Sequence, residues 1–227
     1  MSDLIVSVHI PKTGGVTFRE ALAELAGGHL VLDYEDRPLA PRSFGRSLRE
    51  RIRRAPELPP GTRVVHGHFV ATKYRRRHPD ARLVTWFRDP IERLASHYYY
   101  WLREPDPKNP TCRRLLEEHL DLEEFAALTE MRDVHARFLG GVPVEAFAFV
   151  GLTEAFEEGM GLFQRLFGLV RPVEPARRNA NPERAGERYA LPAGAREALA
   201  ALNRRDLPLY ERARARYEAL RAGSRAA

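Results

Sequence analysis

Apolar residues along the chain fall into two alternating rhythms. Residues 4–10, LIVSVHI, form a short and nearly unbroken apolar run, the mark of a strand buried on both faces. A Gly-Gly turn follows, and then apolar positions spaced for a helix over 16–26. Strand-like runs recur at 30–33, 63–69, 82–87 and 146–150. Helical spacing fills 90–103, 113–119, 122–128, 134–138 and 153–167, with Thr153 as the expected cap of the last. Two more helices are expected beyond residue 192, separated near Asp206, which is placed as the cap of the second. The clearest start signal is Asp89-Pro90, with Asp89 as N-cap, Pro90 at the first helical position and Glu92 in the first turn. On that helix Ile91, Leu94, Tyr98, Trp101 and Leu102 supply the buried stripe, while positions 89, 92 or 93, 96 and 100 share another face. The proline-rich stretch 34–61, around a basic helix at 43–54, reads as an excursion over the surface. Strands alternating with helices predict an α/β fold, a mostly parallel sheet covered on both faces with ligands at the carboxyl ends of its strands. The length of 227 residues suits one domain.

Composition narrows the classes. Hydrophobic residues make up 44% of the chain and charged residues 30%, ordinary globular usage, and no run approaches the roughly 18 apolar residues of a membrane span. The first residues carry no basic segment ahead of the apolar run and no small-residue cleavage site, so no secretory signal is read there. Cys112 is the one cysteine, which leaves no intrachain disulfide and no zinc-finger spacing and fits a reducing, cytoplasmic setting. The net charge of +6 and pI near 9.8 suit a polyanionic partner. The dense basic cluster is Lys73, Arg75, Arg76 and Arg77, and it is not accompanied by a nucleic-acid-binding motif, so nucleic acid is not expected as a partner.

Two segments carry chemistry. In HIPKTGGVTF, residues 9–18, Lys12, Thr13, Gly14, Gly15 and Thr17 lie between a strand and the start of a helix. Glycines there let several N–H groups converge on one anion, the helix dipole adds positive potential, and hydroxyls can donate as well. A strand and a helix also simply need a turn, and Gly-Gly is a common one. The order is not that of the usual nucleotide loop, because Lys12 precedes the glycines. The chain has 34 arginines and three lysines, so a lysine at this place suggests a compact ammonium doing what a planar fork would not. In VTWFRDPIERLASHYYYW, residues 84–101, Arg88 ends a strand and Ser96 lies two turns into the following helix, where both can meet one anion. Arg88 could equally pair with a carboxylate, and Ser96 could be a small surface residue. A third segment, VVHGHF, puts His66 and His68 two apart on one strand face, without a third ligand for a metal.

The PKTGG loop after the first strand, paired with RDPxxRxxSxY at a later strand-to-helix junction, resembles the sulfotransferases that use 3'-phosphoadenosine 5'-phosphosulfate (PAPS). The likeness is strongest to the sulfotransferase family 2 type that includes the uronosyl and heparan sulfate 2-O-sulfotransferases. VGLTE at 150–154 and DLPLYERA at 206–213 extend it more weakly. The resemblance implies a three-layer α/β/α fold of the P-loop-NTPase-like sulfotransferase kind and transfer of a sulfuryl group to a hydroxyl, with a saccharide favoured as acceptor. It implies that Lys12, Thr13, Gly14, Gly15, Val16 and Thr17 hold the 5'-phosphosulfate, that Arg88 and Ser96 hold the 3'-phosphate, and that no metal is needed. Val16 departs from the pattern, since a hydroxyl residue is usual there. The second histidine of a His-Gly-His segment, here His68, is implied as the base, with Lys12 on the leaving group. His66 and then Glu92 are the next candidates for the base. Arg177, Arg178, Asn179 and Asn181 sit in a Pro-flanked segment where related enzymes often return to the nucleotide. Two rival readings are a small-molecule kinase or other nucleotide-binding enzyme, with Asp89 on magnesium, and a basic polyanion-binding module working through the cluster at 73–77 without catalysis.

Overall fold

The structure is a computed structural model and describes residues 3–36, 38–39, 55–169 and 188–224. Five strands, β1 (Ile5–Val8), β2 (Leu30–Asp33), β3 (Val64–Gly67), β4 (Arg82–Phe87) and β5 (Phe149–Leu152), form one sheet in the order β2-β3-β1-β4-β5. All four pairings are parallel, which confirms the expected α/β class. In register, Val8 at the end of β1 faces Gly67 of β3 and Thr85 of β4. The chain leaves β1 toward one edge and β4 toward the other, so the sheet's topological switch lies between their carboxyl ends.

Helices cover both faces because side chains alternate along each strand. On β4 the Trp86 ring meets Phe18 of α1 (Gly15–Ala26) and Phe156 of α7 (Phe156–Phe167). Its neighbour Phe87 stacks from the opposite face on His135 of α6 (Val134–Leu139). Trp86 fits because Gly151 and Gly159 lie against it, where an added Cβ would come within 2.5 and 2.8 Å of the indole. A second apolar cluster joins α3 (Pro90–Arg103), α4 (Pro110–Glu117), α5 (Leu122–Ala127) and α8 (Ala195–Leu202) through Leu94, Trp101, Leu115, Phe125 and Leu199. Leu102, expected in the buried stripe of α3, is instead exposed. No described helix is long and apolar enough to cross a membrane.

Several local expectations need correction. The last strand begins at Phe149, later than expected, because Val144–Ala146 forms a 3-10 turn before it. Thr153 does not cap α7; its hydroxyl donates to the Phe87 carbonyl (3.0 Å), while Glu154 accepts from the Asp89 N–H (2.8 Å). The VGLTE segment thereby pins the β4–α3 junction. Asp206 does not cap its own helix, α9 (Asp206–Gly223). Its carboxylate crosses to α6, accepting from the N–H groups of His135 and Ala136 and from the His135 ring, while Asp133 accepts from the Arg205 N–H. Burial alone would raise the Asp206 carboxyl, but His135 and those backbone donors hold it below its usual range.

The basic cluster at 73–77 is also not what its sequence suggests. Lys73, in the short helix α2 (Thr72–Arg75), is buried, with its ammonium 2.6 Å from Asp33 and 2.9 Å from Asp36. The Tyr74 hydroxyl donates to the same Asp33 oxygen. Half-removed buried ion pairs are costly because a charge stays behind without its partner. Lys73→Met is therefore expected to cost about 3–5 kcal/mol of stability in urea unfolding, against well under about 1 kcal/mol for the exposed Lys108→Met. Equal small losses would show that the Lys73 pairs contribute little.

Candidate active site

The segment from Val8 to Gly14 turns the chain from β1 into α1, and four of its carbonyls accept from side chains. Thr85 donates to Val8 (2.9 Å), His68 Nδ1 to His9 (2.7 Å), Thr13 to Ile10 (2.8 Å) and Arg88 Nη1 to Lys12 (3.3 Å). With these acceptors tied back, the first turn of α1 leaves the N–H groups of Gly15 and Val16 without intrahelical acceptors. That is an anion-compatible arrangement of backbone. Lys12 and Gly14 both have left-handed backbones, φ 70° and 90°. The strain at Lys12, on the order of 1–2 kcal/mol, is held by the Arg88 contact to its carbonyl. Gly15 is required for a different reason: a Cβ there would come within 1.9 Å of the His9 ring.

Among the residues singled out in this loop, the Thr13 hydroxyl is spent on Ile10, so Thr13 offers its backbone alone. Val16 is 41% exposed at the loop mouth, whereas Thr17 is turned inward. The Lys12 ammonium lies 3.4 Å from the centre of the Tyr100 ring. Burial, followed by Arg88 and Arg103, pushes it down to about 8. Arg88 is buried beside it with Tyr189 nearby, and Ser96 is buried on α3. Lys12 and Arg88 therefore converge at the switch between β1 and β4.

The two histidines of VVHGHF have different environments. His66 is on β3 and buried, with Nδ1 2.8 Å from the Ser7 hydroxyl and Nε2 without a partner among the described residues; burial, His68 and Arg19 hold it down at about 3. His68 follows the strand and is half-buried. Because its Nδ1 faces a carbonyl, that nitrogen carries the proton, and Nε2 keeps the lone pair. Burial lowers its affinity for a second proton, although the His9 hydrogen bond opposes that. The hydrogen bond thus leaves the Nε2 of a neutral His68 unprotonated, whereas the Nδ1 of His66 is engaged by Ser7.

Other groups here were given no role by the motifs. His9 packs against His66 and His68 (ring centres 5.0 and 4.3 Å apart) and bonds Tyr34 through Nδ1 (3.1 Å). On α3, Arg93, His97 and Tyr100 lie one turn apart, and the available signal was the 3-4 spacing that puts position 100 on the face of Ser96. Arg93 is fully buried and adds positive potential beside Arg88; burial brings it down to about 10 against the pull of Asp206. His97 is held well below its usual value by burial, then by Arg93, Lys12 and His68. Glu92, a fallback base by sequence, is 3% exposed and engaged by Arg196 (2.6 Å) and the Tyr189 N–H (3.0 Å). It anchors the returning chain. Asp89 Oδ1 accepts from Ile91 and Glu92 as the cap of α3. Arg177, Arg178, Asn179 and Asn181 lie outside the described residues. Among the described residues no group of three or more His, Cys, Asp or Glu is arranged to hold a metal ion.

No protein-family model and no curated protein matches the sequence. Among solved structures the chain is similar to a sulfotransferase from Alicyclobacillus acidocaldarius, at 17% identity and a TM-score of 0.46, over 97% of this chain and 96% of that one. It is also similar to mouse sulfotransferase SULT7A1 complexed with PAP, at 14% identity and a TM-score of 0.41, over 74% of this chain and 59% of that one.

Buried neutral histidines make stability depend on acid. His66 titrates at about 3 when folded against an ordinary 6.5, so between those values the unfolded chain binds one more proton. Its contribution is complete above pH 6.5 and declines by about 1.4 kcal/mol per unit as pH falls toward 3. His9 and His97 act in the same direction. Urea unfolding at pH 7, 6 and 5 is expected to show this fall, and His66→Asn, which keeps a partner for Ser7, is expected to flatten it by one proton. Identical slopes for variant and wild type would mean that His66 is not held neutral.

Proposed function

We propose that the chain is a PAPS-dependent sulfotransferase that moves a sulfuryl group to a hydroxyl by in-line displacement. The observation that carries this reading is the convergence of the Lys12 loop and Arg88 at the β1–β4 switch, with His68 hydrogen-bonded to the same loop. An anionic donor with two separate phosphate groups suits a site where Lys12 and Arg88 supply two cations beside one loop. In this reading the backbone of Thr13 to Thr17 cradles the 5'-phosphosulfate, while Arg88 and Ser96 take the 3'-phosphate. Lys12 stabilises charge developing on the departing phosphate oxygen, and His68 Nε2 takes the acceptor proton. PAPS, when bound, supplies the sulfuryl group; lysine and backbone dipoles neutralise it without a bound cation.

The resemblance of the two motifs to the family 2 enzymes favours a carbohydrate acceptor. Cys112, free and buried, suits a cytoplasmic setting. The kinase reading is weaker because Asp89 Oδ1 is used as a helix cap, and the polyanion-binding reading is weaker because Lys73 is buried against Asp33 and Asp36.

PAP, the product nucleotide, is expected to bind far more tightly than ATP, which lacks the 3'-phosphate, with EDTA changing neither binding nor turnover. Arg88→Ala is expected to weaken PAP binding in calorimetry by roughly 1.5–3 kcal/mol, the range for a hydrogen bond to a charged group. Equal affinities for PAP and ATP would overturn the donor assignment.

Division of labour gives a second test. Lys12→Ala is expected to lower kcat by a factor on the order of 100 to 1000, with a much smaller loss of donor affinity. His68→Ala is expected to lower turnover with PAP binding intact. In the wild type, activity should decline as pH falls through a value below the ordinary 6.5 of imidazole, because burial lowers His68 and its protonated ring accepts nothing. Full activity and an unchanged acid limb in His68→Ala would move the base elsewhere.

A further inference from the structure

Lys12 has an unusual partner. Its ammonium sits 3.4 Å from the centre of the Tyr100 ring, inside the range of a cation–π contact, and among the described residues no carboxylate pairs with it. Arg103 approaches the same ring from 5.9 Å. The charged groups that face Lys12 from its surroundings are Arg88 after β4 and Arg103 on α3, and both disfavour its charge. His97 on α3 and His9 before the loop also feel Lys12, and burial keeps both rings neutral. The ring of Tyr100 is thus the group beside Lys12 that favours a cation. It is borne by α3, the helix capped by Asp89 directly after Arg88, so its place relative to Arg88 is set by a rigid element.

We propose that Tyr100 is a positioning residue for the loop, its ring face docking the Lys12 ammonium until an anionic ligand takes the cation over. The identity of that ligand rests on the PAPS reading; the dock itself does not. A cation on a ring face is drawn by the ring and not by the phenol hydroxyl, so phenylalanine preserves the dock and leucine abolishes it. Among the described residues, the lysine is held in its loop without a carboxylate that an incoming anion would have to displace. The dock also offsets part of the loss of proton affinity that burial and the two arginines impose.

The chain has three lysines, Lys12, Lys73 and Lys108, so labelling with 13C,15N-lysine gives a spectrum that can be read one residue at a time. Lys12→Arg assigns the signal of interest by deleting it. In the wild type the Lys12 ε-methylene is expected well upfield of the exposed Lys108, displaced by the Tyr100 ring current. Tyr100→Phe is expected to keep that position. Tyr100→Leu is expected to return it toward Lys108 and to lower the midpoint of the Lys12 alkaline titration by about half to one pH unit. A wild-type Lys12 signal already at the Lys108 position overturns the dock whatever the variants do, as does one that Tyr100→Leu leaves in place. Adding PAP separates the two readings. A Lys12 signal that starts upfield and moves on PAP addition supports both; one that starts upfield and ignores PAP upholds the dock and removes the donor assignment. A signal that responds to PAP without an upfield start does the reverse.

Discussion

A loop that presents N–H groups to a ligand must have its carbonyls occupied elsewhere, and in this protein four side chains supply that constraint. Thr85 and Arg88 reach the carbonyls of Val8 and Lys12 from the end of β4, His68 reaches His9 from the end of β3, and Thr13 turns back on Ile10. Two of the four, Arg88 and His68, are also the groups to which a chemical role is given. On the proposed reading, holding the loop and facing the ligand are therefore not separable duties. The shape of the backbone and the placing of the reactive side chains are one arrangement, dependent on the parallel register that sets Val8 level with Gly67 and Thr85. Gly15 completes it by admitting the His9 ring where any side chain would stand.

The site is built from cations that do not repel it apart. Arg88 and Lys12 meet through a carbonyl, Arg93 lies buried behind them, and the nearby histidines are held neutral by burial. The positive potential thus comes from groups fixed by packing, while the titratable rings supply lone pairs and bulk. Asp206, buried with His135, provides negative charge that eases the burden on Arg93.

What could be read from the sequence was what local signals encode. The Asp89-Pro90 start of α3 and the strand–loop–helix around Lys12 appear where the pattern put them, because capping and periodicity are properties of a few adjacent residues. Long-range pairings were not legible. Asp206 looks like a cap for its own helix and serves another, and Thr153 closes on Phe87 in place of its expected helix. Lys73 belongs by sequence to a basic cluster, yet its partners lie some forty residues upstream. The distinction between His66 and His68 was equally hidden. It depends on which ring finds a serine and which a carbonyl, and neither partner is near in the chain. Tyr100 was placed on the right face by spacing, but nothing local said that a lysine from another element would rest on it.

The exchange of caps between α6 and α9 bears on how the chain is made. Asp206 and the residues it caps are 71 and 70 positions apart, so during synthesis the strands and the first helices emerge well before the carboxylate that completes the start of α6. Until then the N–H groups of His135 and Ala136 lack their acceptor, and Phe87 on the central sheet faces an unfinished layer. Contacts of such long range close late. Over the 70 or so positions synthesised between α6 and Asp206, the layer against Phe87 therefore lacks α9, the element whose arrival completes it.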